Sequence, residues 1–209
     1  MGKIKLSKGE LKKQRDALKQ YLRYLPTLQL KKQQLQMEIL RQTIILGEKG
    51  HNEAVKRQAA LNWSGLLAAD AGINIKAWLK PTKVITNAKN IAGVDLAVFE
   101  RVEFFPAEYD LFFTPMWVDK AIEVLREIVS LREETAVIKK GIAILRHELR
   151  ITAQRVNLFE KVKIPEAQEA IRLIKIYLGD QMANAVGRSK IAKKKIEQAE
   201  LLEVSLAAA

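Results

Sequence analysis

The chain is 209 residues long, 48% hydrophobic and carries a formal net charge of +12. That apolar content excludes a wholly disordered polymer, and the absence of cysteine excludes disulfides and thiolate zinc sites, which fits an intracellular address. No run of about 18 apolar residues offers a membrane span, and charges interrupt the stretch after the basic N-terminus where a signal peptide would be apolar.

From Lys8 to about Ala69 the composition of Leu, Lys, Gln, Glu and Arg predicts helix. Within it a heptad seam runs Leu11, Gln14, Leu18, Tyr21, Leu25, Leu28, Lys32, Leu35, Ile39, Gln42, Leu46, mostly apolar or aromatic. Pro26 lacks the donor that an interior helical turn needs, so a kink or short break is expected near Tyr24 and Leu25. Gly47 and Gly50 weaken the helix further, and the seam is expected to end there.

Between Gly72 and Pro115 the punctuation changes. Val84 to Thr86, Val94 to Val98 and Arg101 to Phe105 are predicted short strands, with Asn90 to Gly93 bearing the turn. This segment reads as a small β-containing knob at the far end of a helical hairpin. The aromatic cluster Phe104, Phe105, Tyr109, Phe112, Phe113 and Trp117 is expected to pack it.

After Trp117 no proline occurs until Pro165, room for a helix of about 70 Å. Its apolar residues return at steps of four and three without a break: Val124, Ile128, Leu131, Thr135, Ile138, Ile142, Leu145, Leu149, Thr152, Val156, Phe159. A mean spacing of about 3.5 keeps the seam on one partner under a left-handed supercoil. The N-terminal seam lies in the same chain, so the pairing is predicted to be an antiparallel hairpin. Beyond it the series resumes one residue out of phase at Ile164, Ala167, Ile171, Ile174 and Leu178, which implies that Pro165 bends or re-registers the helix rather than ending it. The expected fold is therefore mainly α: a long antiparallel two-helix coiled coil of segments 1–70 and 117–209, with the small β-containing knob at 71–116.

Signs of catalysis are missing. Gly47 to Gly50 lacks the spacing of a phosphate loop, and His147-Glu148 lacks the second histidine of a zinc-protease helix, since position 151 is Ile151. Adjacent Glu133 and Glu134 point in different directions from a helix and cannot share a substrate. No catalytic residue, metal ligand or cofactor is expected. The charge alone does not discriminate: it suits the solvated outer faces of a long helix pair, an acidic protein partner, a basic coiled-coil nucleic-acid binder or a membrane-surface adaptor.

The stretch Thr152-Ala153-Gln154-Arg155-Val156-Asn157-Leu158-Phe159-Glu160, followed by Ile164-Pro165, resembles the signature of the D subunits of V-type and archaeal-type rotary ATPases. Leu158 and Phe159 stand where that family has Ala and Leu. Asn90-Ile91-Ala92-Gly93-Val94 is similar to the family's Asn-Ile-x-Gly-Val, and Arg188, Lys190 and Lys193 to its Arg-x-Lys-x-x-Lys. Leu178-Gly179-Asp180-Gln181 replaces an acidic stretch usual in the family. The order helix, knob, long helix is also the family's.

That resemblance implies a central-stalk rotor axle, one copy per complex, on the cytoplasmic side and peripheral to the membrane. The paired termini would enter the hexamer of A and B subunits, and the knob would meet the F subunit and the C subunit, which is the rotor-ring adaptor. Thr152, Arg155, Asn157, Glu160, Pro165, Asn90, Gly93, Arg188, Lys190 and Lys193 would carry the contacts with these neighbours, with neither direct nucleic-acid binding nor membrane insertion.

Overall fold

The computed structural model describes residues 5–65, 75–110, 112 and 114–207. Helix α1 spans Lys8–Leu61, a single turn α2 Ile75–Trp78, strands β1 and β2 Pro81–Ile91 and Val94–Phe104, helix α3 Trp117–Leu158, a π-helical turn Phe159–Lys163, and helix α4 Ile164–Ala207. Two compact units emerge, Met1–Leu28 with Gln154–Ala209, and Gln29–Ala153. Their boundaries fall inside α1 and α3.

Ser7 caps α1: its Oγ accepts the Glu10 N–H at 3.2 Å, and its carbonyl accepts the Leu11 N–H. The helix then runs through Pro26 without the expected break. One proline removes one intrahelical bond, and seam residues half-buried on both sides, Leu18, Tyr21 and Leu25 before it and Leu28 after it, keep the helix in place. Nor does the seam end at Gly47. It continues through half-buried Lys49, Glu53 and Lys56 to buried Ala60, with its chemistry changed from apolar to charged.

In the Gln29–Ala153 unit the pairing of α1 with α3 is antiparallel. Lys49 Nζ meets Glu134 Oε1 at 2.9 Å and Lys56 Nζ meets Glu127 Oε2 at 2.7 Å, so seven residues forward on one helix is seven back on the other. Leu35 and Leu145, both fully buried, sit in one apolar cluster with Ile39 and Leu149 packed against it. Thr135, Ile142 and Thr152 are buried, and Ile128, Leu131 and Ile138 are half-buried, on the same α3 stripe.

The other unit repeats the arrangement. Leu11, Leu18, Leu25 and Leu28 of α1 are half-buried between exposed lysines, arginines and glutamines, and Tyr21 stacks on Phe159 with ring centroids 5.3 Å apart. Val156, Ile164, Ala167, Ala170, Ile171 and Ile174 are buried. From Gly179 to Ala199 every residue is exposed, because α1 begins at Lys8 and offers nothing for this part of α4 to lie against.

The phase slip expected at Pro165 is absorbed before the proline. In the π turn the Ile164 N–H donates to the Phe159 carbonyl, five residues back, so the turn takes up one extra residue and returns Ile164 to the buried stripe. Pro165 has no N–H to return and its ring needs room one turn back, which a widened turn supplies.

The strands form one antiparallel hairpin with Ile91 opposite Val94 and a bulge at Glu100, where Ile85 pairs with Arg101 and Thr86 with Phe99. The two strands expected at Val94–Val98 and Arg101–Phe105 are thus one strand with an extra residue in it. The hairpin does not stand off the end of the helices. An isolated two-stranded sheet has no core of its own. Accordingly, Val94 and Leu96 at its tip are buried against Leu35 and Leu145, while Phe104 at its base lies under Arg126. Ten strand residues, at about 3.3 Å each, match the roughly 29 Å of α3 between Arg126 and Leu145.

Replacing Ile142, 5% exposed, by Asp is expected to lower the thermal stability by about 3 kcal/mol or more, whereas Ile144→Asp, at a side chain 46% exposed, changes it by less than about 0.5 kcal/mol. Equal melting of the two variants by circular dichroism would contradict the seam. Deleting Lys161 together with Pro165→Ala leaves Ile164 four residues after Phe159. It should melt within about 1 kcal/mol of the parent, while deleting Arg146, which drives Leu149, Thr152 and Val156 off the stripe, should abolish the cooperative transition.

Candidate functional site

The residues singled out in the sequence fall into three groups. The seam residues Leu11, Leu18, Leu25, Leu28, Leu35, Ile39, Ile128, Leu131, Ile138, Ile142, Leu145, Leu149, Val156 and Phe159 are all buried or half-buried. In the Thr152–Pro165 motif the side chains divide. Thr152 and Val156 turn inward, at 3% and 4% exposure, and Arg155, Asn157, Glu160 and Pro165 are exposed. Arg188, Lys190 and Lys193 are exposed on α4, where Arg188 Nε donates to the Asn184 carbonyl and Lys193 lies 3.7 Å from Glu197.

Asn90 and Gly93 build the hairpin turn. Ala92 and Gly93 have φ of 52° and 74°, the left-handed pair that lets a two-residue connection follow the twist of the strands. Asn90 Oδ1 accepts the Gly93 N–H at 3.1 Å and its Nδ2 donates to Asp95 Oδ1 at 2.6 Å. Lys31 Nζ stands 3.7 Å from where a Cβ on Gly93 would lie, which places the turn on α1.

At the other end of the hairpin Arg126 does what no sequence pattern announced. Its Nε donates to the Trp78 carbonyl at 3.2 Å, its Nη2 to the Phe105 carbonyl at 2.6 Å, and its guanidinium lies 5.3 Å from the Phe104 ring centroid. One side chain thereby ties both ends of the hairpin to α3, using the planar fork that lysine lacks. Tyr109 packs on Trp78 and donates to Asp119, a hydrogen bond that holds its phenol above the ordinary pKa. The aromatic cluster is therefore split: Phe104, Tyr109 and Trp117 are half-buried, but Phe105 is 54% and Phe112 97% exposed, and Phe113 lies outside the described residues.

Among the described residues no three His, Asp or Glu side chains converge as metal ligands, and no helix is long and apolar enough to cross a membrane. His51 and His147 are exposed on α1 and α3. The clefts of the Gln29–Ala153 unit include open grooves along the helix pair, one under the hairpin bordered by Glu38, Gln42, Leu96 and Ile138, another between Leu46 and Ile142 on α1 and α3, and a third beside Arg126 bordered by Phe104, Ile122 and Ser130.

Comparison with known proteins places this architecture. The family model of the ATP synthase D subunit matches residues 10–194. The V-type ATP synthase D subunit of Borreliella burgdorferi is 46% identical over 196 residues, covering 94% of this chain and 96% of the relative. Subunits of the same name in Chlamydia pneumoniae and Chlamydia abortus are 35% and 37% identical, each across 93% of this chain and 93% and 94% of the relative.

Replacing Gly93 by Val puts a β-branched side chain at a φ of 74°, and should destabilise the hairpin by about 1–2 kcal/mol. Hydrogen exchange of the β1 and β2 amides is expected to speed up by roughly tenfold while α4 is unaffected; unchanged hairpin protection would contradict the turn's role.

Proposed function

The chain belongs to the family of ATP synthase D subunits, and from that membership we propose that it is the central rotor axle of a V/A-type ATPase, coupling ATP hydrolysis or synthesis in the A/B hexamer to ion movement through the membrane ring. The observation that carries this reading is the pairing, within each unit, of α1 with α3 or with α4 along a heptad stripe, maintained through a proline in α1 and a phase slip before α4. Twisting load is borne by many interlocked side chains and not by one contact. In this reading the chain has no active site. It serves as a soluble peripheral component on the cytoplasmic face, one copy per complex.

The partners follow from the same reading. The segments 1–70 and 117–209 enter the A/B hexamer, and 71–116 faces the F and C subunits. Arg188, Lys190 and Lys193, on the part of α4 that lies beyond its partner helix, meet the hexamer together with exposed Met182, Val186 and Ile191. Exposed ion pairs and single cations are individually weak, about 0–1 kcal/mol each, which suits a surface that must release one hexamer position as it engages the next.

Reconstitution tests the proposal. The purified chain mixed with A and B subunits should enter each hexamer as one copy, and failure to associate with correctly assembled hexamers in the presence of the F subunit would overturn it. A chain ending at Leu178 keeps every buried residue of the stripe among the described residues and should melt within about 1 kcal/mol of the full chain, yet bind the hexamer more weakly.

A further inference from the structure

On the Gln29–Ala153 unit the hairpin covers one side of the helix pair and leaves the other open. There a groove of about 540 Å³ runs between the helices, with Ile142, Ala143 and Leu46 among the apolar side chains lining it. Its α3 rim is basic. Lys139, Arg146 and Arg150 border the groove, and Arg132, beyond its end, continues their line at steps of seven, seven and four, so the four share one face over roughly 27 Å of helix. All four are exposed, and none is in a salt bridge or side-chain hydrogen bond among the described residues.

The acids of α3 are elsewhere. Glu127 and Glu134 are turned to Lys56 and Lys49 of α1. Glu133 and Glu148, by helical position, lie more than a quarter turn from the basic line. The α1 rim is neutral, with Thr43 bordering the groove. Arg146 and Arg150, four residues apart on one face, repel each other, and anions brought to the line relieve that repulsion.

We infer that this groove is a docking site for an acidic amphipathic helix of a partner protein, whose apolar face would lie on Ile142 and Ala143 and whose carboxylates would meet Arg132, Lys139, Arg146 and Arg150. The heptad spacing of the cations, about 10.5 Å per step, matches carboxylates repeating on a helix laid alongside. A protein is favoured over RNA because the floor is aliphatic and, among the described residues, the groove presents no Phe, Tyr or Trp platform for successive bases, His147 being the one aromatic side chain on its border. The inference stands apart from the rotor reading, since it concerns one face of the helix pair whether or not the pair turns.

The test uses the full chain and an 18-residue fluorescent peptide with leucines at heptad a and d and glutamates at e and g. Saturable binding is expected that weakens about tenfold in Arg146→Glu/Arg150→Glu and is unchanged in Lys83→Glu/Lys89→Glu, which makes the same charge change on β1. Both variants are first checked for parental helicity. No saturation, equal loss in the two double variants, or a 20-nucleotide polyuridine or phosphatidylserine vesicles binding the ridge in place of the peptide would each overturn it.

Discussion

The structure depends on one constraint, that each long helix has a stripe it cannot bury alone. A solitary helix gains little in water from propensity, and its stability comes from the face it hides. In the Gln29–Ala153 unit that face is hidden by running α1 against α3, with Leu35 and Leu145 at its centre. Everything else in that unit attaches to the same stripe: the tip of the hairpin lands on Leu35 and Leu145, and its base is fastened to α3 by Arg126. The hairpin is thus a dependent of the helix pair, since two strands without a third layer are at best marginal.

The two places where the helices should have failed show how strongly the stripe governs. Pro26 costs α1 a hydrogen bond, and the helix continues. Pro165 and the extra residue ahead of it would throw Ile164, Ala167, Ile171 and Ile174 onto the solvent side, and a π turn at Phe159–Lys163 is adopted instead. A π turn has poorer packing than an α turn and is kept only where something larger is at stake. Here it is four buried residues, each contributing on the order of 1 kcal/mol or more.

Much of this was legible in the sequence, for a definite reason. A heptad stripe is a long, repeated signal, so the seam from Leu11 to Leu46 and from Val124 to Phe159 could be read residue by residue, and burial follows it. Asn90 to Gly93 was legible as a turn because few residues tolerate its backbone. The resting place of the hairpin was not. Val94 and Leu96 announce a buried face, but nothing in them says whether a helix pair or their own sheet will cover it. The bulge at Glu100 left a gap in the alternation that reads as two strands, and Arg126 gave no signal because its acceptors are backbone carbonyls, which every residue has. The end of the α1 seam was misjudged for a related reason. Lys49 and Lys56 look like solvent residues by type, yet their partners Glu134 and Glu127 make them seam positions.

That change from leucine to lysine along one stripe also bears on function. An apolar seam resists separation of the helices and, through its interlocked side chains, small sliding, but one leucine packs much like the next. Ion pairs at fixed heptad steps supply direction: a shift of one residue would bring Lys49 out of reach of Glu134 and Lys56 out of reach of Glu127 together. The apolar part holds the helices side by side, and the charged part fixes their register. The axle proposed above would need both. In this chain they occupy successive lengths of the same unit, with the tip of the hairpin on the apolar one and its base beside the charged one.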